Sequence, residues 1–112
     1  MSGPLISVYE STDPKLSLSL TVAGTDEAFD LTDYSLEFYI KTSVRQSDAD
    51  AQAKYVSGDQ IEITDPATSG NLTIQCDAED LTPAGRYVYK LDGIKSGRRD
   101  TLLAGEFIVQ DV

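Results

Sequence analysis

The stretch Leu81-Thr82-Pro83-Ala84-Gly85-Arg86-Tyr87-Val88-Tyr89-Lys90-Leu91 decides the reading of this chain. Pro83 and Gly85 punctuate a turn, one by its fixed φ and the other by its freedom from a side chain. After the turn, Tyr87, Tyr89 and Leu91 alternate with Arg86, Val88 and Lys90. A period of two is that of a strand with one buried face. The pattern spreads outward from there. Leu16, Leu18, Leu20 and Val22 alternate with Ser17, Ser19 and Thr21 up to Gly24, and Tyr34, Leu36, Phe38 and Ile40 with Ser35, Glu37, Tyr39 and Lys41. Ile61 and Ile63 flank Glu62, and Leu72, Ile74 and Cys76 interleave with Thr73 and Gln75. A first apolar segment, Leu5-Ile6-Ser7-Val8-Tyr9-Glu10, closes at the turn cluster Ser11-Thr12-Asp13-Pro14. The Tyr87 strand closes in a hairpin loop at Gly93 to Gly97. A last strand covers about residues 101–109, with Ala104-Gly105 reading as a bulge.

A tyrosine just after a turn, with a second large core residue two positions on, resembles the tyrosine corner of immunoglobulin-like sandwiches. Tyr89 then stands where antibody domains carry a disulfide cysteine. The expectation is an all-β, immunoglobulin-like antiparallel β-sandwich of about seven to eight strands, a single domain over residues 1–112. Its predicted core is Leu18, Leu20, Leu36, Phe38, Ile63, Leu72, Ile74, Tyr87, Tyr89 and Phe107. Residues 43–55 are the exception. Ser47-Asp48-Ala49-Asp50-Ala51-Gln52-Ala53-Lys54 combines an N-cap candidate, early acids and good helix formers, which predicts a helix of one or two turns or a loop crossing between sheets.

The formal net charge of −10 argues against a nucleic-acid groove and against anionic membrane surfaces, both of which need basic patches. A single cysteine allows no intrachain disulfide, which fits a reducing cytoplasm. Met1-Ser2-Gly3-Pro4 lacks the charged and apolar regions of a signal peptide, and no run is apolar enough for a membrane span. Catalytic equipment is not visible. The chain has no histidine, so the commonest general base and metal ligand is missing. Cys76 sits on the inward face of its strand and reads as a core thiol. Asp48/Asp50 and Asp77/Glu79/Asp80 could offer carboxylates to acid/base chemistry or to calcium, but neither has the spacing and glycine of an EF-hand loop, and solvated loop carboxylates are the default. No catalytic residue, cofactor or metal is therefore assigned.

What remains is surface. Among outward strand positions Tyr39, Val88 and Ile108 are the apolar exceptions, and immunoglobulin order makes their strands neighbours in one sheet. They predict an exposed docking patch flanked by Lys41, Arg86 and Lys90. Residues 1–10 open with Ser-Gly and then turn apolar at Leu5, Ile6 and Val8, which predicts a partner-contacting segment that adds a strand to a neighbour's sheet edge.

From Phe29 onward the chain resembles a family of small immunoglobulin-like domains in tailed-bacteriophage virions, typified by the N-terminal domain of the baseplate upper protein. The matching pieces are Phe29-Asp30-Leu31-Thr32, Leu36-Glu37-Phe38-Tyr39-Ile40, Asp48-Ala49-Asp50-Ala51, Ile61-Glu62-Ile63-Thr64-Asp65 and Gly70-Asn71-Leu72-Thr73-Ile74. Two more follow, the Leu81 to Tyr89 run and Gly105-Glu106-Phe107-Ile108-Val109. Each piece is ordinary β-sandwich grammar, and the specificity lies in the series. The resemblance implies a non-enzymatic virion structural protein, assembled in the bacterial host cytoplasm, whose partners are other virion proteins of capsid or tail, or itself. The baseplate relatives continue into further regions, whereas this chain stops at Val112. That favours a free-standing capsid decoration, or cement, protein over a baseplate or tail adaptor. A carbohydrate-binding module at the host surface is the other reading, disfavoured by the absence of tryptophan.

Overall fold

The computed structural model describes residues 4–22, 25–43 and 45–111. The turn placed at Gly24 and the start of the N-terminal segment, residues 1–3, lie outside the described residues. Eight strands form two sheets: β1 (Ile6–Tyr9), β2 (Lys15–Ser19), β3 (Ser35–Lys41), β4 (Ala53–Val56), β5 (Ile61–Ile63), β6 (Asn71–Gln75), β7 (Gly85–Lys95) and β8 (Arg98–Gln110). One sheet has the order β1-β8-β7-β3-β4, the other β2-β6-β5. This is the immunoglobulin arrangement, in which the chain changes sheet four times, between β1 and β2, β2 and β3, β4 and β5, and β6 and β7.

The tyrosine corner is present. Tyr87 Oη donates to the carbonyl of Pro83, four residues upstream, at 2.6 Å. Tyr89 is buried beside it, and its hydroxyl reaches back to the Pro4 carbonyl at 2.7 Å. Nine of the ten expected core residues are buried; Ile63 is only half-buried and packs against the core from the short strand β5. Phe38 is at the centre. Its ring lies 5.5 Å from Tyr89, 6.3 Å from Tyr55 and 6.5 Å from Phe107, centroid to centroid.

The local expectations are met only in part. Residues 43–55 hold a single 3-10 turn, Asp48–Asp50, followed by β4, which pairs with β3 in the same sheet. So short a helical run cannot meet its nucleation cost, and stacking Tyr55 opposite Phe38 wins. The bulge lies at Leu102, not at Gly105: Leu91 faces Leu103 and Asp92 faces Thr101, so Leu102 is the extra residue. This turns Leu102 and Leu103 inward in succession, and both are buried. The hairpin loop shrinks to Ser96-Gly97, both with positive φ, as a two-residue turn requires. Finally, β1 runs parallel to β8, which is open to it because no hairpin joins the two. Val22 falls beyond the end of β2 and is 41% exposed.

Candidate interaction surface

The outer face of the five-stranded sheet follows from the registers. Tyr39 is opposite Lys90, Lys41 opposite Val88, Arg86 opposite Ile108, and Ser7 opposite Ile108 on its other side. Tyr39 does point outward, but it is not exposed. It is 3% accessible, and three lysines close over its ring. The ammonium groups of Lys41, Lys54 and Lys90 stand 5.9, 5.8 and 5.3 Å from the ring centroid. As an exposed docking residue Tyr39 is therefore corrected: the alternation identified its face, and the cover of long cations could not be read from spacing.

Those cations are held by acids that converge from three elements, the 3-10 turn, β7 and β3. Lys41 and Lys90 share the Asp48 carboxylate at 2.5 and 3.0 Å, which fastens the 3-10 turn to the sheet face. Asp92 is fully buried and is paired with Lys90 at 3.1 Å, Arg99 at 3.0 Å and the Thr101 hydroxyl at 2.9 Å. Arg99 also binds Glu37 at 2.8 Å, and Glu37 accepts the Tyr39 hydroxyl at 2.6 Å. Burial, and then the bond to Glu37, pushes the Tyr39 phenol up to about 12. The hydrogen bond from Lys41 holds Asp48 below its ordinary value, and that from Arg99 does the same for Glu37. A carboxyl group with a lowered folded pKa stabilises fully above its unfolded value of about 4 and stops doing so as pH falls through the folded one. The melting temperature is thus expected to fall on acidification below about pH 4, and in an Asp48→Asn variant to fall less. A thermal unfolding series in pH, with and without the substitution, measures this.

The remaining predicted contacts divide sharply. Leu5 is 59% exposed, whereas Ile6 and Val8 are buried in the core through β1. The N-terminal segment already serves as a strand of its own sheet, so its inward side chains are not free for a partner. Val88 and Ile108 are half-buried and face outward. Two hollows adjoin on Val88. One, of about 140 Å³, is lined by Thr42, Arg86, Tyr87, Val88, Glu106 and Ile108. The other, of about 160 Å³, is lined by Lys41, Val88, Tyr89, Lys90, Thr101 and Ala104. Tyr9, which the sequence reading did not single out, is 57% exposed on the same face. Its signal was its place at an odd position of an edge strand, visible only once the edge was known.

Charge is segregated along the same lines. Strands β3, β4, β7 and β8 carry seven of the nine basic residues and four acids, a local balance of +3. The rest of the chain holds two basic and fifteen acidic residues, a balance of −13.

The other chemical candidates are occupied structurally. Cys76 is buried, and desolvation pushes its thiol up to about 12, which leaves it inert. Asp80 accepts the Tyr55 hydroxyl at 2.9 Å, and Asp13 accepts the Ala78 amide at 2.7 Å. Among the described residues no group of three or more acids or cysteines is placed to hold a metal ion, and no helix is long and apolar enough to cross a membrane.

No protein-family model matches the chain, and no curated protein sequence matches it.

Proposed function

We propose that this chain is a non-enzymatic accessory protein of a tailed-bacteriophage virion, a capsid decoration protein that docks through the outer face of its five-stranded sheet. The immunoglobulin strand order is the fold the sequence resemblance implied, and it supports that reading. The observation that carries the docking role is Val88, shared by two adjoining hollows, with Ile108 lining one of them and Arg86, Glu106, Lys41 and Lys90 around them. An apolar centre with a polar rim is the usual anatomy of an interface. The rim carries Arg86 and Glu106, while Lys41 and Lys90 are already paired with Asp48 and Asp92, so it fits a polar scaffold surface of mixed charge.

The test is binding of purified protein to particles lacking it. Val88→Glu and Ile108→Glu are expected to weaken binding by about tenfold or more, as loss of a central contact does, with the unfolding midpoint unchanged. Undiminished binding by both variants overturns the docking face. Absence of the chain from purified virions overturns the structural-protein reading, and its presence on tails instead of heads selects the adaptor reading.

A further inference from the structure

A two-sheet sandwich has four edge strands, here β1, β4, β2 and β5. Exposed edges invite pairing with other chains, and charged side chains are a common guard against it. Three of these edges are guarded: β4 carries Lys54, β2 carries Lys15 and β5, only three residues long, carries Glu62. Strand β1 has the residues Ile6-Ser7-Val8-Tyr9, with no charge and no proline. It also holds or adjoins two of the three large apolar residues exposed among the described residues, Leu5 and Tyr9. We infer that the β1 edge is a self-pairing surface, on which a second copy of this chain lays its own β1 antiparallel about a two-fold axis at Ser7.

The backbone geometry sets that axis. The Glu10 amide donates to the Gln110 carbonyl at 2.8 Å, so in the parallel ladder residues 6, 8 and 10 bond to β8. The amides and carbonyls of Leu5, Ser7 and Tyr9 then point away from the sheet. Pairing them antiparallel around Ser7 puts Ser7 opposite its own copy and Leu5 opposite the copy's Tyr9, twice over. The Tyr9 carbonyl takes the Thr12 hydroxyl at 2.7 Å, which uses one lone pair and leaves the other. Each exposed apolar side chain gains an apolar cross-strand neighbour on the outer face, and the two sheets join into one. Charge does not oppose the same place. β1 is uncharged, and β8, the strand it borders, carries two basic and two acidic residues that balance, so pairing at this edge sets no like charges against each other. A strand this short covers less than the roughly 1,200–2,000 Å² of a stable interface, so the pair is weak and forms when copies are concentrated. The inference does not depend on the virion reading.

Two measurements decide it. At the Ser7 centre the Cα atoms would lie about 5.5 Å apart, within disulfide range. Ser7→Cys is therefore expected to oxidise to a covalent dimer about tenfold or more faster than Ser17→Cys on the guarded β2 edge, because pairing raises the local thiol concentration. Cys76 is buried and supplies no background. In parallel, sedimentation of the unmodified chain should show a reversible dimer that grows with concentration and is lost in Tyr9→Lys. Equal oxidation rates at the two edges, or a strict monomer at every concentration up to about 1 mM, overturns the proposal; it stands only if both expectations are met.

Discussion

Phe38→Ala is expected to lower the free energy of unfolding by about 3–5 kcal/mol, the usual cost of removing a buried aromatic ring. Phe38 is fully buried on the inner face of the five-stranded sheet, with Tyr55, Tyr89 and Phe107 all within 6.5 Å of its ring centroid. Two of these neighbours cannot close the gap freely. Tyr55 is tethered through its hydroxyl to Asp80 and to the Asp77 amide, and Tyr89 is tethered to Pro4. The cavity should therefore stay largely open, which puts the cost at the upper end of the series. Against a typical total of about 5–15 kcal/mol, the variant would be left with a small margin. Urea titration measures it as a lower midpoint at unchanged slope. A loss below about 1 kcal/mol would mean that the aromatic cluster collapses into the space after all.

Gly70→Ala is the second large effect, and it comes from the backbone. Gly70 closes the 3-10 turn Ala67–Ser69 with φ +73°. A Cβ there would stand 2.5 Å from the Leu20 carbonyl oxygen and 3.0 Å from both the amide nitrogen and the carbonyl oxygen of Phe29. Leu20 continues β2 past Ser19, and Phe29 returns beside it beyond the antiparallel Thr21–Ala28 bridge. The Leu20 amide donates to Gly70 at 2.8 Å, and the Phe29 amide to Leu20 at 2.9 Å. Left-handed strain costs roughly 1–2 kcal/mol, and a rigid overlap adds roughly 1–3, for a total of about 2–5. Gly58 is the control. It too has positive φ, +86°, but nothing lies within 4 Å of its missing Cβ. Gly58→Ala should cost only the strain, about 1–2 kcal/mol. Equal losses at the two sites, by denaturant titration, would show that the close approach at Gly70 carries no weight.

The fold was legible because its signals are local. Alternation in β2, β3, β6 and β7 needs only a period of two, and Tyr87 four residues after Pro83 needs only one turn. Strand β4 was illegible for the opposite reason. Ala53-Lys54-Tyr55-Val56 follows a run that favours helix locally, and it becomes a strand only because β3 offers Phe38 as a partner for Tyr55. The bulge at Leu102 likewise depends on the far strand, where the space beside Gly93 accepts a second inward leucine.

The candidate surface shows the same division. From sequence, Tyr39, Val88 and Ile108 were rightly put on one outward face, since pleating alone decides which side a residue takes. Whether such a side chain meets solvent depends on what lies across it, and that involves residues distant in the chain. Arg99 reaches Glu37 across 62 positions, and Asp48 reaches Lys90 across 42. Their charges hold lysine ammonium groups over Tyr39 and close the part of the face that looked most apolar. The same holds for the first strand. Composition made Leu5, Ile6 and Val8 look like one sticky segment; pairing with β8 turned Ile6 and Val8 into core and left Leu5 and Tyr9 on an unguarded edge. Periodicity determined the faces of this protein, and only tertiary contact, through long-range ion pairs and strand order, decided which parts of them are open.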